Sequence, residues 1–256
     1  MRIATFNVWN KEIMWTDRLK AICEEVKKVN ADIIALQEVR TFSGEDGNIN
    51  VAQYIANNTD YPLCIFKEYP DSPDEGLAFL SKIPIADIDA IWHTNTKESN
   101  YCAIRLVFNY DNFEYGITNV HLNWRTAEIR EEQMHSVNTW IAENAKPFEI
   151  LCGDFNDTPD SNIHNYLQEN MWLDLAVLNE EKNGVKAQAT LDHSNNSHLK
   201  NKTNLTIPLR YDWILLKKIE SLNLPVINSV EVFGNMPVTK AHIFPSDHYG
   251  VVIDIT

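Results

Sequence analysis

Cys102-Ala103-Ile104-Arg105-Leu106-Val107-Phe108 is followed by Asn109-Tyr110-Asp111-Asn112 and then by Phe113-Glu114-Tyr115-Gly116-Ile117-Thr118-Asn119-Val120-His121-Leu122. Both flanks are rich in β-branched and aromatic residues, and the short polar link between them predicts an antiparallel hairpin. A hairpin in mid-chain excludes a simple alternating parallel sheet. Working outward, further strands are predicted over residues 63–66, 77–80, 148–152, 211–216, 226–233 and 251–255. Leu19, Ile22, Cys23, Val26 and Val29 recur at helical spacing after a cap at Thr16, and the apolar run 33–36 follows, so a helix feeds a buried strand. A second long helix is predicted over 127–144 and a shorter one over 161–169. Strands outnumber helices. The expected class is α+β (mixed α/β), with two mixed sheets packed face to face and helices outside. With neither repeats nor a linker, residues 1–256 are expected to form one domain.

Hydrophobic residues make up 44% of the 256 and charged residues 23%, which disfavours disorder, collagen and coiled coil. The net charge of −14, from 22 lysines and arginines against 36 aspartates and glutamates, repels a polyanion and argues against a broad duplex-binding surface. No apolar run approaches the roughly 20 residues that span a bilayer. The chain enters a strand pattern at Ile3, which leaves no room for a leader, so a cytoplasmic location is expected, and the protein is expected to be a monomer. Cys23, Cys64, Cys102 and Cys152 are far apart in apolar segments and read as core residues, not as a disulfide or zinc framework. The polar stretch 193–206 reads as a surface loop.

Polar residues interrupt the strand ends. Asn7 follows Ile3 to Phe6, and Glu38 follows Ile33 to Gln37. His121 and Asn123 close the strand after Ile117, Asp154 and Asn156 follow Phe148 to Gly153, Asp212 precedes Trp213, and Asp247-His248 precede the last strand. So many polar groups beside apolar strands are costly to desolvate unless they converge on one another, on water or on an ion. A shared polar cleft follows. Singly, each has a plainer reading: Asn7 and Asp154 as turn formers, Asp157 or Asp160 as a helix cap, His121 as a core histidine, Asp212 as half of a structural ion pair.

Taken together, Thr5-Phe6-Asn7, Leu36-Gln37-Glu38-Val39, Glu75-Gly76-Leu77-Ala78, His121-Leu122-Asn123, Gly153-Asp154-Phe155-Asn156, Arg210-Tyr211-Asp212-Trp213-Ile214 and Ser246-Asp247-His248 resemble, in order, the signature blocks of the endonuclease/exonuclease/phosphatase superfamily. That superfamily includes pancreatic-type deoxyribonucleases, AP endonucleases, neutral sphingomyelinases and inositol polyphosphate phosphatases. The blocks cover nearly the whole chain. The resemblance implies a four-layer α/β/β/α sandwich and magnesium-dependent phosphoester hydrolysis.

On that basis Glu38 and the Asn7 amide oxygen are hard ligands suited to Mg²⁺, with Mn²⁺ as a substitute, and similarity places Asp247 toward the same ion. Asp154 is expected to orient or deprotonate the attacking water. Asn156 would face the same side if the backbone stays extended. His248 is the other candidate base, with Asp212 as its partner carboxylate. His121 is similar to the family histidine that meets the developing phosphorane or leaving group. Glu75 is then its candidate orienting carboxylate, against a plain reading as a solvated acid in an acidic turn. Asn123 would add a donor to the phosphate. Which histidine is acid and which is base stays open.

His121 stands where AP endonucleases usually carry tyrosine, and Trp9 where they carry a second acid, so the site looks less like an abasic-site nuclease. Trp9, Trp15 and Trp124 offer stacking surfaces or rim packing, and Arg125 and Arg40 offer a second phosphate clamp or solvated charges. The favoured expectation is a phosphodiesterase or phosphatase acting on a small or lipid-derived phosphoester. A nuclease, steered by a patch of Lys200, Lys202, Arg210 and Lys217, is the alternative. A catalytically dead binding module is a third reading, opposed by the presence of every expected side chain.

Overall fold

In the computed structural model, which describes residues 1–44, 47–91, 103–200, 207–218 and 221–256, the chain begins β1 (Arg2–Asn7), α1 (Trp15–Val29), β2 (Ile33–Gly44), β3 (Gly47–Asn50) and α2 (Val51–Asn57). It continues through β4 (Leu63–Tyr69), β5 (Ser72–Ser81), β6 (Ile85–Ile91), β7 (Ala103–Tyr110), β8 (Phe113–His121), α3 (Ala127–Glu143) and β9 (Phe148–Asp154). The last part holds α4 (Asn162–Glu169), β10 (Leu173–Asp174), α5 (Leu175–Asn183), β11 (Asp212–Lys218), β12 (Ile227–Phe233) and β13 (Gly250–Ile255). The hairpin forms as read. Asp111 and Asn112 carry its turn, both at positive φ, the conformation that matches strand twist and that Asp and Asn tolerate.

One sheet has the order β12-β13-β1-β2-β5-β4 with β3 beside β2, and the other has the order β10-β11-β9-β8-β7-β6. Both are mixed. The parallel pair β1–β2, bridged by α1, lies inside the first sheet, and β8–β9, bridged by α3, lies inside the second. Alternation along the strands builds the layers. Ile3, Ile33, Ala35, Phe79, Ile117, Ile150, Cys152 and Ile214 fill the space between the sheets. Ala4, Phe6, Ile34 and Leu36 instead face α1 and α2, while Val120, Leu151 and Leu215 face α3 and α4. The result is the expected α+β sandwich, helices outside two sheets.

Several local expectations shift. Thr16 lies inside α1, whose N-cap is Met14 with no capping side chain. Ser161 itself caps α4, so neither Asp157 nor Asp160 holds that role. Helix α5 was not legible as a helix, since Leu175 to Leu178 is a short apolar run that fits either element. Stretch 193–206 is not wholly a surface loop. Asn196, His198 and Leu199 are buried, and the rest of the stretch from Asn201 lies outside the described residues. Cys23 and Cys152 are buried and Cys64 half-buried, all three with free thiols; Cys102 lies outside the described residues. Among the described residues no helix is long and apolar enough to cross a membrane.

Candidate active site

The inward face of each central strand begins apolar and turns polar toward the cleft. Ile3 leads to Thr5 and Asn7, Ala35 to Gln37, Ile117 to Asn119 and His121, and Cys152 to Asp154. Register then lines these ends up, with His121 opposite Asp154 across β8–β9 and Asp154 opposite Asp212 across β9–β11. Gly153 is required just before Asp154. Its φ is +136°, and a Cβ there would sit 2.0 Å from the Val120 carbonyl oxygen. Beneath the site Gln37 ties the sheets together, donating to Asn119 Oδ1 at 2.7 Å and Thr5 Oγ1 at 2.9 Å, while Asn119 donates to the Leu36 and Ala78 carbonyls.

Glu38 reaches the same cleft through a β-bulge. Between Leu36 opposite Ala78 and Val39 opposite Gly76, strand β2 carries one residue more than β5, and Glu38 adopts φ 54°. Gln37 therefore stays between the sheets while Glu38 turns to the rim. Its carboxylate accepts from Asn7 Nδ2 at 3.1 Å and from the Asn10 amide at 3.0 Å.

Asp154 lies at the centre. Its Oδ2 accepts from Asn7 Nδ2 at 2.9 Å and stands 3.7 Å from both His121 Nε2 and His248 Nε2. His248 Nδ1 lies 2.9 Å from Asp212 Oδ2, so the proton of that pair sits between ring and carboxylate. Burial opposes a charged His248 ring, but the carboxylates of Asp212 and Asp154 outweigh it and hold the imidazole well above its usual range. Thr190 Oγ1 accepts from the Asp212 amide at 3.1 Å, and Ser246 Oγ donates to the Asn7 carbonyl at 2.7 Å and accepts from the His248 amide. Asn196 donates to the carbonyls of Ser246 and Asp247.

These groups open onto a cleft of about 410 Å³ lined by Trp9, Asn10, Lys11, Glu38, Glu75, His121, Trp124, Asp154, Asn156, Asp247 and His248. Glu75 is therefore a cleft residue, not a solvated turn acid. Burial and then the charge of Glu38 raise its carboxyl above the usual range, the mark of carboxylates crowded on one wall. Asp154, Asp212 and His248 also present ligand-type atoms within 4.8 Å of one another. A cleft with this excess of carboxylate suits a hard divalent cation.

Other expected residues are placed differently. Asn156 is at φ 51°, so the backbone does not stay extended as the sequence reading required. It still lines the cleft, its amide donating to the Leu122 carbonyl at 2.8 Å. Asn123 is buried and its Oδ1 accepts from the amides of Arg125 and Thr126, an Asx turn leading into α3. Arg125 lies against the Trp124 ring at 5.1 Å, and Trp124 is 58% exposed. Trp9 lines the cleft while buried between Arg18 and His198, and Trp15 packs on Phe42. Arg40 approaches Asn10 and Glu12. Arg210 is engaged by Asp174, Lys217 is half-buried near Trp172, and Lys202 lies outside the described residues, so the first two do not contribute to a free basic patch.

Sequence reading missed two supports. Arg18 is fully buried and donates to the carbonyls of Val8, Trp9, Lys11 and Pro245, fixing the loop that carries Trp9 to Lys11. Tyr69 places its hydroxyl 3.2 Å from His121 Nδ1. No signal marked either one: an arginine in a helix and a tyrosine before Pro70 both have ordinary surface readings.

A family model described as Endonuclease/Exonuclease/phosphatase family matches residues 4–248. The chain belongs to this family. The endonuclease/exonuclease/phosphatase sandwich recurs in solved structures of low identity. A functionally unknown conserved protein from Enterococcus faecalis V583 is 21% identical, with 100% of this chain and 99% of that one covered at TM-score 0.75. TDP2 from D. rerio, in a complex with single-strand DNA product, is 16% identical over 100% and 98% at TM-score 0.78, and SmcL is 20% identical over 100% and 98% at 0.74. No curated protein matches the chain. Family membership makes the protein a metal-dependent phosphoester hydrolase in general terms.

Proposed function

We propose that this endonuclease/exonuclease/phosphatase protein is a Mg²⁺-dependent phosphodiesterase or phosphatase for small or lipid-derived phosphoesters. The observation that carries the reading is one carboxylate oxygen of Asp154 at 3.7 Å from two imidazole Nε2 atoms on the floor of the cleft. A water held there has an acceptor in Asp154, while His121 and His248 flank the position a phosphoryl group would take. Asp212 holds His248 by Nδ1 and stabilises its charged form. Glu38 and Asp247, with the Asn7 amide, are the groups that would hold Mg²⁺ or Mn²⁺. The crowding of Glu38 and Glu75 supports that fit. The ion would polarise a phosphoryl oxygen and offset charge on the leaving oxygen. Asn156 stands beside Asp154, its backbone N–H donating to Asp154 Oδ1 at 2.9 Å. Asn123 and Arg125 are assigned to orienting the Trp124 rim.

The net charge of −14 and the engagement of Arg210 by Asp174 favour a compact substrate over a long polyanion. One feature favours the nuclease alternative: the exposed Trp124 ring, backed by Arg125, is a surface on which a base can stack.

Bis-p-nitrophenyl phosphate with Mg²⁺ tests the site. Asp154→Ala, His248→Ala and Glu38→Ala should each lose about 100-fold or more in kcat while staying folded. Near-native turnover in all three would refute the assignment. A panel of plasmid DNA, RNA, sphingomyelin, inositol phosphates and sugar phosphates identifies the substrate. A preference for nucleic acid that falls steeply with salt would select the nuclease reading.

A further inference from the structure

Strand β4 is exposed or half-exposed along most of its length and turns in at its last residue. Only Tyr69 of the strand is fully buried. The cause is a break in register: Glu68 pairs with Gly76, but Tyr69 pairs with Ser72, and such an irregularity re-aims the side chain at the end of the strand. The Tyr69 ring joins the core between the sheets beside Leu77 and Phe79, and its hydroxyl meets His121 Nδ1 at 3.2 Å.

A neutral imidazole carries its proton on one nitrogen, and the partner of the other nitrogen decides which. A carboxylate at Nδ1 accepts, so His248, facing Asp212, keeps its proton on Nδ1. A phenol is different, because it can donate. On the far side of the His121 ring, Nε2 faces Asp154 Oδ2 at 3.7 Å, where an N–H is attracted and a lone pair repelled. Both ends of the ring then favour the same arrangement. We propose that Tyr69 is a positioning residue whose O–H donates to Nδ1 of His121 and fixes the Nε2–H tautomer, so that His121 presents a hydrogen-bond donor to the cleft. This deepens the site reading above and rests on it for its consequence: His121 is the donor to the leaving oxygen, while His248, anchored the other way round, is not set by the same device.

The test is ¹⁵N-detected NMR of the imidazole nitrogens in the full-length protein, with His121 assigned through His121→Gln. With the ring neutral, wild-type His121 should show a protonated Nε2 and a bare, hydrogen-bonded Nδ1. Tyr69→Phe should shift Nδ1 toward the free-acceptor position and mix the two tautomers. With bis-p-nitrophenyl phosphate and Mg²⁺, Tyr69→Phe should lower kcat about 10-fold with KM within about twofold, and the loss should vanish in a His121→Ala background. A wild-type ring protonated on Nδ1, or Tyr69→Phe with an unchanged ¹⁵N pattern, overturns the proposal. So does an equal loss in the His121→Ala background. The NMR outcome decides it even if the diester is not turned over, a result that would count against the site reading alone.

Discussion

Glu38 occupies a left-handed backbone conformation at φ 54°, which costs a side chain about 1 kcal/mol and is free for glycine. The bulge that imposes it also brings the carboxylate to the Asn7 amide, so local stability and site geometry oppose one another at this residue. Glu38→Gly and Glu38→Ala should therefore be equally inactive, yet the glycine variant should be more stable by about 1 kcal/mol in urea unfolding. If alanine is the more stable of the two, the backbone at position 38 is not under strain. The polar strand ends were legible in the sequence because a polar residue that closes or opens an apolar run is costly to bury alone. Asn7, His121, Asp154 and Asp212 could be picked out that way. The inward turn of Tyr69 and the bulge at Glu38 were not legible as geometry, because no residue type encodes an extra residue in a ladder.

At the scale of elements, α5 is held by a single buried carboxylate. Asp174 caps the helix through the amides of Ala176 and Val177, meets His164 Nε2 at 2.9 Å, and accepts from both terminal nitrogens of the Arg210 guanidinium. Burial alone would push its carboxyl up, but the His164 hydrogen bond and the Arg210 charge outweigh burial and bring it down to about 2. An unfolded aspartate titrates near ~3.9. The folded value is the lower one, so this contribution is complete above about pH 4 and is lost as pH falls toward about 2; it amounts to about 2 kcal/mol. Unfolding free energy of the wild type should fall across that window, while Asp174→Asn should be weaker at pH 6 and flatter below it. A variant with the same acid slope as the wild type would remove the network from this account. Such a network lay beyond sequence reading. Arg210 looked like a free cation near Asp212, and only the folded structure brings its guanidinium to Asp174, at 2.7 Å.

At the scale of the whole molecule, two sheets each contribute a row of polar strand ends to one edge, and the carboxylates of Glu38, Glu75, Asp154 and Asp247 share one cleft in a chain already at −14. Their mutual repulsion opposes folding, and a cation that bound among them would relieve it. A cation bound only to the native state raises stability by RT ln(1 + [L]/Kd), so Mg²⁺ at ten times its Kd adds about 1.4 kcal/mol. For a chain of this size that corresponds to a rise in Tm of about 3–5 °C. General screening of a −14 molecule also raises Tm, so the comparison is against NaCl at equal ionic strength. The wild type should gain from Mg²⁺ beyond the NaCl control and lose that gain on chelation. Glu38→Ala should keep the NaCl response and lose the specific one, because it removes a proposed ligand but leaves the remaining charge. An identical Mg²⁺ shift in the wild type and in Glu38→Ala would mean that the cation is held elsewhere, and the cleft would then need a different source of compensating charge.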